Sequence, residues 1–200
     1  MPSSMHFYLN WAKERVDEMD ALLSTMEGKA KELEAESRRK ADKLIADLHA
    51  KRDEFQEAIN KQAEAGETAW LRTKAQLEIM WRNFEGEAQK YVETFGKQVG
   101  QQQQIFQEVA AAQLKAWREA AETIQSAAAE FQTKRRADVD AMVTQFKTGA
   151  SDAEARFKDL QKAGSESWAS LNAALTDSRK AFDRANQTFW DVFKQSNAEK

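Results

Sequence analysis

The residues of this chain with chemistry to offer are few. His49 stands in ADLHAKRDE with Asp53 four residues on. On a helix that spacing puts an imidazole and a carboxylate on one face, as a metal site requires. Two ligands do not complete a site, so the pair reads as a solvated ion pair. His6, the other histidine, sits in a terminus expected to fray. The Glu-x-x-His pair of di-iron bundles is missing, as are His-Glu-x-x-His, a phosphate-binding glycine loop, a calcium loop and a dinucleotide fingerprint. GKQVG at 96–100 is a glycine pair with no strand before it. Cysteine is absent, which removes thiolate metal sites and disulfides. Acid–base catalysis needs a carboxylate or histidine with a perturbed pKa in a dry pocket. Here acids and bases alternate in the manner of exposed faces. The expectation is a non-enzyme with no catalytic, cofactor-binding or metal-ligating residue.

Charge bounds the partners. The 30 basic and 33 acidic residues nearly cancel, to −3, with both signs interleaved. Interleaving suits solvated helix faces and argues against a nucleic-acid footprint. Two short basic clusters, Arg38-Arg39-Lys40 and Lys134-Arg135-Arg136, read as solvated face rather than as phosphate or anionic-lipid contacts. No uncharged apolar run approaches the ~20 residues of a membrane-spanning helix. The first residues, MPSSMHFYLNWAKERVDE, lack the basic n-region of a secretory signal. The expected location is the cytoplasm, with peripheral contact to a granule or membrane surface.

The elements that carry these residues must be helices. There is one proline, Pro2, with seven glycines in 200 residues, and strong helix formers dominate. The large apolar residues recur at steps of eleven. From Trp11 the step reaches Leu22, Leu33, Leu44 and Phe55, and further on Leu77. Trp70 and Trp81 form another rung, and Phe84 leads to Phe95, Phe106 and Trp117. Phe131 opens a further ladder; Phe146 leads to Phe157 and Trp168, and Phe182 to Phe193. Eleven residues make three helical turns plus ~20°, so such residues lie nearly above one another. These eighteen positions form the candidate interaction stripe. Their drift from ladder to ladder implies a period near 3.6, with a broad apolar face rather than a heptad seam. The fold expected is all-α: long amphipathic helices with near-eleven-residue periodicity, in an elongated hairpin, bundle or coiled-coil-like assembly without β-sheet. One domain is expected over 1–200.

Two breaks are predicted. At 147–152, Gly149 can end a helix, Ser151 can cap the next, and Glu154 completes a capping box. At 96–104, two glycines four apart weaken the helix by about 1 kcal/mol each. Yet Phe95, Phe106 and Trp117 keep their step across that segment, so a continuous helix and a fold-back both stay open. Gly66, with Thr68 as cap, is a third candidate. Gly28 and Gly86 read as interior glycines.

With eleven-residue amphipathic periodicity, almost no proline and no catalytic motif, the chain resembles apolipoproteins and perilipin-type lipid-droplet coats. Its size, its alanine and glutamine content and the texture of AAETIQSAAAEFQ at 120–132 are similar to phasins, which coat bacterial storage granules. In period and length it also resembles the outer coat protein of gas vesicles. The charge is high for a phasin, and no consensus repeats word for word. These resemblances imply a structural protein that self-associates through amphipathic helices, with coating of a storage granule or lipid as a further expectation. A peripheral lipid-binding protein and a coiled-coil adaptor for one protein partner are the alternatives. What covers the stripe, another helix or an apolar phase, is the question the sequence leaves open.

Overall fold

In the computed structural model, residues 5–65, 67–97, 101–128, 136–163 and 167–198 are described. Among them are six helices and no strand: α1 Met5–Ala30, α2 Ala35–Ala65, α3 Glu67–Phe95, α4 Gln101–Ala128, α5 Arg136–Ala163 and α6 Trp168–Ala198. The periodicity is plain in α4. Its buried positions Ile105, Phe106, Val109, Ala110 and Gln113 recur eleven residues on as Ala116, Trp117, Ala120, Ala121 and Ile124. This is the broad stripe of a straight helix.

The chain divides into two compact units. One comprises Glu14–Ala112 and the other Met1–Lys13 with Gln113–Lys200. In the first, α2 runs against α1, as Arg52 Nε to Asp20 Oδ1 (2.8 Å) and His49 Nε2 to Glu27 Oε1 (2.6 Å) fix the register. Helix α3 runs parallel to α1: Arg15 stacks on Trp81, and the Tyr91 hydroxyl donates to the Met26 carbonyl at 3.1 Å. In the second unit, Gln113 Nε2 donates to the Leu175 carbonyl (3.1 Å) and Trp117 Nε1 to Ser178 Oγ (3.4 Å), so α6 runs parallel to α4. Arg156 pairs with Asp177 at 2.9 Å and turns α5 against α6. Lys13 Nζ reaches Glu119 at 2.6 Å and seats the start of α1 beside α4.

The turns have distinct causes. Helix α3 ends at Phe95, and the Gly96 N–H still reaches the Val92 carbonyl (2.9 Å). The Gln101 N–H then bonds the Gly96 carbonyl at 3.1 Å, so within 96–104 the chain folds back. Helix α2 ends at Ala65 and α3 begins at Glu67; Gly66, the third break candidate, lies outside the described residues. Ser167 caps α6: its Oγ accepts the Ser170 N–H at 3.3 Å. The turn at 31–34 has no glycine or proline to announce it. Leu33 is buried there and anchors the chain to the core.

The break predicted at 147–152 does not form; α5 runs unbroken from Arg136 to Ala163. Ser151 does not cap a new helix. Its hydroxyl bonds back to the Lys147 carbonyl at 3.1 Å, within α5. Gly149 serves a close approach instead of a turn. A Cβ there would lie 2.6 Å from Cη2 and Cζ3 of Trp117, whose ring lies against the α5 backbone. Gly149→Ala is therefore expected to destabilise the chain by about 1–3 kcal/mol through overpacking, outweighing the propensity gain of about 1 kcal/mol. Gly28 and Gly86 are interior to α1 and α3, and a Cβ at either meets nothing within 4 Å. Alanine at each should stabilise by about 0.5–1 kcal/mol. Urea unfolding of the three single variants checks the opposite signs.

A second regularity spans the whole chain. Gly66 and Trp70 in AGETAW recur 98 residues later as Gly164 and Trp168 in AGSESW, and Leu77, Phe84 and Phe95 as Leu175, Phe182 and Phe193. The same offset carries α1, α2 and α3 onto α4, α5 and α6. It carries buried residues onto buried residues: Met19 to Trp117, Leu48 to Phe146, Ile59 to Phe157, Tyr91 to Phe189. Details follow too. Thr25 and Thr123 each bond the carbonyl four residues back, and Gln89 and Gln187 each donate to the acid four residues on. The chain is two copies of a three-helix repeat.

Candidate functional site

Thirteen of the eighteen stripe residues are buried: Trp11, Leu22, Leu33, Phe55, Leu77, Trp81, Phe84, Phe95, Phe106, Trp117, Phe146, Phe157 and Phe182. Leu44 and Trp168 are half-buried, and the side chains of Trp70, Phe131 and Phe193 lie outside those described. The thirteen are distributed over two cores, one in each unit. Ile79, 52% exposed, is the large apolar residue left outside among the described ones.

The heart of the second unit is aromatic. Trp117 meets Phe182 and Phe146 edge-on, with centroids 5.1 and 5.5 Å away, and those two phenylalanines meet each other at 5.9 Å. Such edge-to-face pairs add about 0.5–1.5 kcal/mol each to the area they bury. In the first unit Trp81 stacks on Phe84 at 6.0 Å. Tyr91 is fully buried; burial pushes its hydroxyl above the ordinary tyrosine range, while the Gln101 side chain works the other way.

Polar groups interrupt these cores. Glu14, Arg15 and Glu18 are 1, 3 and 0% exposed. Arg15 is ion-paired with Glu14, and its guanidinium lies 5.3 Å from the centre of the Trp81 ring. The second Glu14 oxygen has no hydrogen-bond partner among the described residues. In the other unit Gln113, Ser178, Arg179 and Asn186 are buried. The repeat relates them at one position: Arg15 corresponds to Gln113, while Trp81, which Arg15 faces, corresponds to Arg179. Each repeat therefore carries one arginine inside at this level, from α1 in one and α6 in the other. The sequence held a signal for them. Arg15 stands four residues from both Trp11 and Met19, Gln113 four from both Val109 and Trp117, and Arg179 four from Leu175, so all fall on the apolar face.

The residues singled out for metal chemistry are not brought together. His49 bonds Glu27 across to α1, both half-exposed, whereas Asp53 sits against Arg52 at 3.4 Å. No group of three His, Cys, Asp or Glu side chains suited to a metal occurs among the described residues. In the first basic cluster Lys40 pairs with Glu36 at 2.8 Å and Arg38 with Asp42 at 4.0 Å, each an exposed pair one helical turn apart. Lys134 and Arg135 lie outside the described residues. No described helix is long and apolar enough to cross a membrane. What the arrangement offers is a reserve of apolar surface held inside and interrupted by charge. Compared with known family models, curated proteins and solved structures, the chain matches none.

Proposed function

We propose that this is a non-enzymatic structural protein that self-associates through its long amphipathic helices and coats an apolar surface, a storage granule or a lipid layer, at the periphery of that phase. The observation that supports this best is the inward stripe with charges inside it. A bundle built for stability alone gains nothing from burying Glu14, Arg15, Glu18 and Arg179, since desolvating charges costs several kcal/mol per ion. A bundle built to open recovers that hydration when its helices separate. The aromatic face, with Trp11, Trp81 and Trp117 in it, is then free to lie on an apolar phase, where tryptophan is favoured.

The test is adsorption with and without a lock. Because the chain has no cysteine, paired thiols can be introduced at the exposed ion pair Arg156–Asp177 and at Asp20–Arg52, then joined by a short bismaleimide. The unlocked protein is expected to float with apolar polymer particles or vesicles, keep its helix content and lose its cooperative melting. The locked protein should bind at least about tenfold more weakly, a difference of about 1.4 kcal/mol. A wild-type protein that ignores both particle types ends the coating reading.

A further inference from the structure

We propose that a second copy of this chain is a built-in partner, joined by exchange of the two repeats across the corner between α3 and α4. Neither repeat makes a compact unit by itself. Each unit draws on both: Glu14–Ala112 takes the first twelve residues of α4 from the second repeat, and the other unit takes the start of α1 from the first. Every contact one repeat makes with the other can be made by the same residues of another molecule, with identical chemistry. Only the path of the chain at the corner decides between the two.

The corner is poised between those paths. It exists because residue 96 has no side chain: a Cβ on Gly96 would lie 2.5 Å from the Val92 carbonyl oxygen. From residue 101 comes QQQQIFQEV, whose glutamines and glutamate are good helix formers. The apolar step also survives the corner. Phe84, Phe95, Phe106 and Trp117 follow one another at eleven residues and all are buried. Eleven residues keep phase only along a straight helix. A folded-back corner needs no such phase. A continuous α3–α4 helix does, because it must show both halves of the stripe on one side to a second chain.

The proposal deepens the self-association part of the function proposed above, and its test uses no surface, so coating stands or falls separately. Gly96→Ala penalises the corner and suits the straight helix. It is expected to convert the 22.8 kDa chain to a species of twice that mass by light scattering, with wild-type helix content and tryptophan emission. Wild-type chains carrying two different fluorophores, unfolded together and refolded at high concentration, should give an energy-transferring two-chain fraction at least about tenfold above that of chains refolded dilute. Lengthening the corner with a glycine–serine insert after Lys97 should abolish that fraction and leave a single chain with wild-type melting. A Gly96→Ala protein that stays a single folded chain overturns the proposal. Should that variant unfold, the mixed wild-type refolding decides: a two-chain fraction no greater at high concentration than at low overturns it as well.

Discussion

Arg15→Met is expected to destabilise the chain by about 3–5 kcal/mol, although methionine is the more apolar residue at a position 3% exposed. The reason lies in what is left behind. Glu14 is 1% exposed and ion-paired with Arg15, and its other oxygen has no hydrogen-bond partner among the described residues. Removing the guanidinium strands a carboxylate inside the unit and takes a cation from the face of Trp81. A buried pair is costly to break and cheap to replace whole. The double variant Glu14→Leu, Arg15→Met should therefore recover most of the loss or exceed wild type. Urea unfolding of the two variants reads the difference directly. Equal losses in both would show that Arg15 contributes through packing rather than through its charge.

The second large effect belongs to Trp117. Trp117→Ala is expected to cost about 3–5 kcal/mol, since it empties the space between Phe146 and Phe182 and removes the indole bond to Ser178. It should also reverse the sign of a second substitution. Gly149→Ala is destabilising only because the Trp117 ring occupies the space a Cβ would need. Without that ring, the same change should gain about 0.5–1 kcal/mol from helix propensity and partial filling of the cavity. A double-mutant cycle reads this as a coupling of about 1.5–4 kcal/mol between the two sites. A coupling near zero would mean that Gly149 is present for some reason other than the ring.

Much of the fold was legible beforehand because one rule runs through it. Residues on one face of a 3.6-residue helix are buried together: thirteen of the eighteen stripe positions are inside, and α4 repeats its buried pattern at eleven. Turns were less legible. The corner at Gly96 carried a local signal, but the turn at 31–34 lies in KELEAES, which reads as helix throughout. That turn is set by where Leu33 can be buried, a tertiary matter. At 147–152 the local signal pointed the wrong way. Glycine, serine and glutamate at capping spacing mimic a helix end, whereas the cause of Gly149 lies thirty-two residues back, at Trp117. The polar interruptions of the core were half visible. Arg15, Gln113 and Arg179 fall on the apolar face by counting, but counting does not distinguish a buried arginine from one that bends out to water.

By itself the sequence determined the helical class, the width and phase of the apolar face and the lack of any recognisable catalytic motif, because these depend on composition and on angles that accumulate residue by residue along a helix. Only the tertiary structure decided that thirteen stripe residues are buried within the chain, that two compact units divide α1 and α4 between them, and that Gly149 is a packing glycine. Those depend on which faces meet across the bundle, and that is a property of residue pairs far apart in the chain, on which local periodicity is silent.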